Sequence, residues 1–457
     1  MPRSSCWRAT GPVRLCRRAR NGKDSRRSPA DARPASRSST AICSTGTDLE
    51  SSTAWSSWRA RSIPRRFGET GHGNPEAGHG CAGARPSVGG LGAISGPPVR
   101  PLREAAVGYA RVAEAALLGS KPAWRLIRTV AVLLGCLAVV AAVSLFVGSA
   151  HLAPEAVVRA VTGRAATDSV ERVVTLGVRL PRIAVAMLGG GALAVAGVAF
   201  QALTRNPLAE PAVLGVSSGA AFGVVVAQVF GLHAGGLAAL GLTAFAFAGA
   251  IVAAGAVYLI ASAQRGLAVP TLLLAGVIVG VFFSAAITVL ISLVDVNRLA
   301  GVIHWLLGNV APVSSGALGV FAVLTVLGFF LVASRARELN VLALGDEAAA
   351  QLGVRAETLK RVTFVAAALL TATVVAFSGP IGFVGLVVPH MLRAFVGRDT
   401  RLLAPVAFVG GAIFLLAADT VARTIVAPAE LPVGVITAFC GAPFFIYVLR
   451  SRGRPAP

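Results

Sequence analysis

The sequence predicts an all-α, polytopic membrane protein with about ten transmembrane helices, and three observations carry that prediction. Of 457 residues, 55% are hydrophobic and only 14% are charged, against roughly 25% charged in a soluble chain. Mean hydropathy is +0.73. From about Ile127 onward apolar runs of ~20 residues recur, the length a helix needs to cross ~30 Å of hydrocarbon.

The runs place helices at about 126–148, 183–203, 212–231, 236–261, 269–294, 315–334, 361–378, 383–396, 404–426 and 432–449. The second carries Gly189-Gly190-Gly191 and Gly197, and in lipid such small residues let helix backbones approach closely. The eighth is short and follows Ser378-Gly-Pro380, which suits a tilted or re-entrant segment. Arg298 to Asn309 reads as a half-helix on the outer face. Cys136 and Cys440 fall inside apolar segments, where a buried thiol acting as a small hydrophobe is the default. No metal-ligand spacing or disulfide framework stands out.

The chain divides into residues 1–105 and residues 106–457. Residues 1–103 hold 18 Lys+Arg, 17 of them Arg, against 6 Asp+Glu. This stretch is rich in Ser, Pro and Gly and lacks the apolar surface that offsets ordering entropy. It reads as a disordered tail, or as an over-extended start, since no Met falls between Met1 and Met187. The formal charge of +22 is therefore concentrated in that tail, and a nucleic-acid partner is not expected. Twin arginines there lack the apolar stretch of a signal peptide.

Basic residues set the orientation. Sixteen, from Lys121 to Arg454 and including Arg205, Arg265, Lys360 and Arg393, flank the cytoplasmic ends of the runs. Seven lie outside: Arg159, Arg164, Arg172, Arg179, Arg182, Arg298 and Arg423. Both termini are expected inside, in a multi-pass protein of the cell membrane.

The source of energy is narrowed by what is missing. No phosphate loop of the form G-x-x-x-x-G-K-[ST] occurs, so the chain is not expected to be an enzyme or to hydrolyse ATP. An ion-coupled carrier usually shows ionisable groups within its spans. Only Asp419 lies well inside one, with Arg423 four residues on, spaced for a structural pair. Leu344-Gly345-Asp346-Glu347-Ala348-Ala-Ala-Gln351-Leu352-Gly353 has a helix start at Asp346 and a glycine placed as C-terminal cap. A two-turn cytoplasmic helix with Ala348, Leu352 and Val354 as apolar contacts suits a partner's groove; an ordinary connecting helix is the alternative.

Arg179-Leu-Pro-Arg182, the glycine-rich run, and Gln201-Ala-Leu-Thr-Arg-Asn-Pro-Leu-Ala-Glu-Pro211 through Gly215 closely resemble the signature region of FecCD-type permeases. These are the membrane subunits of ABC importers for iron–siderophore, haem and cobalamin. Gly382-Phe-Val-Gly-Leu-Val-Val-Pro-His390 with Arg393, Ala418-Asp-Thr-Val-Ala-Arg423, Glu430-Leu-Pro-Val-Gly434 and Gly441-Ala-Pro-Phe-Phe445 follow in the family's order. The resemblance runs from about residue 126 to 451.

It implies a transmembrane permease subunit importing an Fe(III)–siderophore, with haem or cobalamin as alternatives; an ion-coupled secondary transporter is the rival from another class. The implied partners are a second permease subunit, two ABC ATPase subunits, an extracytoplasmic substrate-binding protein and membrane lipid, with no cofactor and no metal site. Arg179, Arg182 and Arg423 match outward arginines that dock the binding protein; snorkelling to headgroups is the alternative. Charge reversal at Arg182 is expected to weaken docking while folding persists. Asn206, Pro207 and Leu208 match the cytoplasmic gate or form a simple turn. The 344–353 segment matches the coupling helix that receives the ATPase's movement. Phe282, Phe283, Ala285 and Leu290 are expected to wall the translocation pathway. His304 and His390 are expected to be structural.

Overall fold

The computed structural model describes residues 123–150, 152–232, 241–263, 266–293 and 296–452. The 1–105 tail, Lys121 and Arg265 lie outside the described residues. Every regular element among the described residues is helical.

In chain order these are α1 Ala123–Phe146, α2 Pro154–Val161, α3 Val170–Thr204, α4 Val216–Val229, α5 Gly241–Ser262, α6 Val269–Ser292, α7 Val296–Leu306, α8 Ser315–Ser334, α9 Ala336–Leu342, α10 Asp346–Gln351, α11 Ala356–Ser378, α12 Val384–Val396, α13 Thr400–Thr424 and α14 Val433–Arg452. Each of the ten expected spans coincides with one apolar helix. Eight are long and apolar enough to cross a membrane. The other two, α4 and α12, have 14 and 13 residues, short of the ~20 that a crossing takes.

The two short helices have local causes. Pro207 and Pro211 bracket the turn after α3, and a 3-10 turn over Pro211–Leu214 delays the start of α4 until Gly215, at φ +71°, redirects the chain. Before α12, Gly379 and Phe383 both take positive φ. Segments of irregular backbone at such depth are tolerated only where protein surrounds them. Here they pack on each other: Gln201 Nε2 donates to the Gly385 carbonyl at 3.2 Å, and Glu210 accepts from the Phe383 backbone N–H.

The interior is organised around α3. It packs on α13, α11, α12 and α8, and its residues from Ala192 to Phe200 are buried. Gly190 lies against Gly411 of α13, and Gly197 against Gly385 at the head of α12. Phe321 of α8 stacks on Phe377 of α11 with ring centroids 4.7 Å apart. A second group of helices, α4, α5 and α6, packs around Gly219, Gly223 and Gly249.

Helix faces turned away from this interior are apolar and exposed, for example Val277, Val281 and Phe282 on α6, as expected where lipid or another membrane subunit is the neighbour. Cys136 and Cys440 lie on such faces and are exposed, which corrects the expectation of buried thiols. An apolar segment in a membrane has no polar face to mark which side turns inward.

Candidate functional site

At one end of α3, a π-helical turn over Val173–Arg179 precedes Leu180–Thr204. The whole of α3 is 35 residues, roughly 52 Å at 1.5 Å per residue. It therefore overreaches the ~30 Å core, and Arg182 and Arg179 fall near or beyond its far boundary.

Arg179, Arg182 and Arg423 come together, but they do not project outward as the resemblance implies. They are 3%, 6% and 3% exposed. Arg182 donates to Asp419 Oδ1 through Nε at 3.1 Å and Nη2 at 2.9 Å, and to Glu430 Oε2 through Nη1 at 2.8 Å. Arg423 Nε lies 3.0 Å from Asp419 Oδ2, a charge contact without aligned hydrogen-bond geometry, while its Nη2 donates to Ser144 Oγ at 2.7 Å. Arg179 donates to the carbonyls of Leu145, Phe146 and Ala150 at the end of α1. Ser149 donates to Glu430 Oε1 at 2.8 Å.

The cluster thus ties α1, α3, α13 and the loop before α14 into one unit. Three guanidiniums face two carboxylates, so it holds surplus positive charge. The i,i+4 pair of Asp419 and Arg423 is present as read from spacing. Arg182 and Glu430 joining it is the correction: a side chain with two internal carboxylate partners is a structural tie first, and reversing its charge would set three carboxylates together. Burial pushes the Glu430 carboxyl up, but the bond and charge of Arg182 and the bond from Ser149 outweigh it and hold it below its usual range.

The residues expected to form the gate, Asn206, Pro207 and Leu208, follow the opposite end of α3. Arg205 ends the helix in the left-handed region at φ +53°, and Leu208 N–H donates to Asn206 Oδ1 at 3.0 Å. That bond closes the turn, the backbone service expected of Asn206. Pro207 lines a cavity of about 850 Å³ with Gln201, Arg205, Asn340, His390 and Arg393. The family-like motifs of α3 and α12, far apart in sequence, therefore meet there.

The 344–353 segment forms α10 as expected, with Gly353 at φ +78° closing it. It starts at Asp346, as read. Gly345 is the cap residue, and no side chain caps the helix. The Asp346 carboxylate instead meets Lys360 Nζ and lies 3.4 Å from Arg205 Nη2. Leu344 and Leu352 are 70% and 64% exposed, while Ala349 turns inward. The preceding α9 is fastened by Asn340, whose Nδ2 donates to Asp399 Oδ1 at 2.7 Å and whose Oδ1 accepts from Thr400 N–H at 2.8 Å.

Of the four expected wall residues, Ala285 alone lines an open cleft of about 540 Å³ with Gly215, Ser218, Gly276, Gly280, Ser284 and Thr288; Phe282 is exposed beside Phe283 but outside that lining. Phe283 and Leu290 do not line it. Phe283 packs inward on Phe222 at 5.2 Å between centroids, and Leu290 packs with Val225 and Ile287. Adjacent helical residues are ~100° apart around the axis, so Phe282 and Phe283 cannot share a wall. His304 contacts Asn309 at 3.3 Å and His390 sits edge-on to Phe444. Among the described residues no group of three His, Cys, Asp or Glu is placed to hold a metal ion.

Among the described residues, an all-helical bundle with eight membrane-length helices and a small-residue cleft defines an integral membrane protein. Residues 136–451 match the FecCD transport family, and the chain belongs to that family, the permease subunits of ABC importers. It is 42% identical over 276 residues to the cobalamin import system permease protein BtuC of Halobacterium salinarum, covering 60% of this chain and 73% of that one. It is 40% identical over 277 residues to the iron(3+)-hydroxamate import system permease protein FhuB of Bacillus subtilis, covering 60% and 71%. A solved inward-facing structure of a metal-chelate type ABC transporter superposes with a TM-score of 0.61 at 32% identity, covering 71% of this chain and 99% of that one.

Proposed function

We propose that this permease carries an Fe(III)–siderophore, of the neutral hydroxamate kind, into the cytoplasm, using ATP hydrolysed by partner subunits. The observation that carries the cargo reading is the lining of the α6 cleft: glycine, alanine, valine, serine and threonine, with no charged side chain. Three hydroxamates balance the charge of Fe(III), so such a chelate crosses an uncharged wall without a charge losing its solvation. Bulk and weak contact favour release over tight binding. Haem brings two carboxylates that this wall does not match. Cobalamin, also bulky and without strong net charge, is the second reading, supported by the similarity to a cobalamin permease.

In this reading both termini are cytoplasmic, two permease subunits enclose the path across their α6 clefts, and two ATPases engage Leu344 and Leu352 of the coupling segment. An extracytoplasmic binding protein seats on the face around Glu430 and Arg182, where surplus positive charge favours an acidic surface. Arg179, Arg182 and Arg423 shape that platform from below. Asn206, Pro207 and Leu208 form the exit gate. The test is ATP hydrolysis by the importer reconstituted in vesicles with its binding protein, with a ferric hydroxamate, haemin or cobalamin offered singly. Stimulation by the ferric hydroxamate alone supports the reading; stimulation by cobalamin or haemin alone replaces the cargo.

A further inference from the structure

We propose that Asp346 is the positioning residue that hands the coupling segment's movement to the exit gate, by holding Lys360 of α11 and Arg205 at the gate end of α3 at once. The inference rests on the permease reading and adds to it the link by which one end of the machine reaches the other.

Three observations converge on this carboxylate. It opens α10 yet does not cap it, because Gly345 occupies the cap position and no side chain bonds the first turn. Its chemistry is therefore spent on tertiary contacts. Lys360 is 8% exposed at the side chain, and Asp346 is its acidic partner. A nearly buried ammonium with one counter-ion fixes where α10 sits against α11. On the other side Arg205 Nη2 lies 3.4 Å away, with Arg205 and Asp346 side chains 39% and 44% exposed. An exposed pair of this kind adds little to stability, so its consequence is geometric.

The geometry leads directly to the gate. Arg205 immediately precedes the turn closed by Asn206 Oδ1 and Leu208 N–H. Arg205 also lies close over the start of the coupling helix: a Cβ built on Gly345 would stand 3.7 Å from Arg205 Nη1. The preceding helix α9 is fastened separately, through Asn340 to Asp399 and Thr400 at the start of α13. A push on Leu344 and Leu352 is thus shared among α13, α11 and α3. The Asp346–Arg205 contact is the arm that ends at the gate turn.

The experiment uses the whole importer, permease with its ATPase and binding protein, in proteoliposomes. Ferric hydroxamate, haemin and cobalamin are offered in separate runs, and both accumulated cargo and ATP consumed are measured. Arg205→Gln is expected to lower cargo moved per ATP by about tenfold, the scale of a typical coupling between sites, while ATP hydrolysis stays within about twofold. Arg205→Lys recovers part of the ratio. Asp346→Asn gives the same defect, and the double variant is no worse than either single, as for residues acting as one unit. Arg361→Gln, which removes the exposed Arg361–Glu357 pair elsewhere on this face, leaves the ratio unchanged. Should Asp346→Asn fail to assemble because Lys360 loses its counter-ion, Arg205→Gln still decides, since it leaves the Lys360 pair intact. An unchanged ratio in Arg205→Gln overturns the proposal and leaves the permease reading standing. A wild-type importer that moves none of the three chelates overturns the permease reading itself.

Discussion

Gly190 and Gly189 are neighbours on α3 that differ in one respect, and the difference sets up a test of how the bundle is held. A Cβ at Gly190 would lie 2.1 Å from the Gly411 carbonyl oxygen of α13, whereas one at Gly189 would meet Leu415 and Val374 at 3.5 Å. Real Cβ atoms stay at least 3.0 Å from such neighbours, so Gly190→Ala must part α3 from α13 by about 0.9 Å, the kind of overpacking that costs ~1–3 kcal/mol. Either substitution gains at most ~1 kcal/mol of helix propensity. Gly189→Ala should therefore be neutral to slightly stabilising, and Gly190→Ala less stable than it by the overpacking cost of ~1–3 kcal/mol. Thermal unfolding of the detergent-solubilised protein, with both variants in one detergent, reads the difference. Gly190→Ala melting at or above Gly189→Ala would refute the backbone contact, and with it the argument that glycines set the α3–α13 spacing.

Other consequences follow from the charged clusters. Asp419→Asn strips Arg182 and Arg423 of their shared carboxylate, and breaking a buried pair costs ~3–5 kcal/mol; Arg182→Glu should likewise give aggregated protein, both scored by monodisperse yield on size exclusion. Asp399 is held below the usual carboxylate range by the Arg401 side chain, by Asn340 and by the Arg401 backbone N–H, against burial. Its stabilisation is in place above the unfolded-state value and lost as pH falls through the lower folded value, so acid unfolding should be shallower in Asp399→Asn. Glu430 carries the same sign, and Glu430→Gln should shift the acid limb in the same direction. Leu352→Asp should abolish co-purification with the ATPase while the melting temperature of the permease alone stays unchanged.

What the sequence made legible is what one helix decides by itself. Apolar run length placed a helix at each expected run, eight of them long enough to cross, and i,i+4 spacing gave the Asp419–Arg423 pair. The proline and glycine punctuation around 206–215 and 378–383 foretold interrupted helices, though the length of α4 took the 3-10 turn to explain. Contacts between distant helices were not legible. Glu430 lies 248 residues from Arg182, and nothing near either marks the other. Arginine at an outer helix end reads equally as a docking or an internal residue, because spacing gives position and not partners. The phase of α6 was misread at Phe283 since both its faces are apolar. Glu210, whose carboxylate holds the Phe383 N–H, went unnoticed inside a motif read for its turn. Asp346 does open α10, where acidic residues are favoured, but its contacts with Lys360 and Arg205 were not legible.

The central claim, import of a ferric siderophore by this permease, is tested most directly by uptake of radiolabelled iron into iron-starved cells with and without the gene, the iron presented as a hydroxamate chelate. The account predicts that uptake is lost without the gene, returns with the wild-type copy, and does not return with Leu352→Asp. Hydroxamate-iron uptake that is unchanged by deleting the gene, in cells with no second permease of this kind, would contradict it.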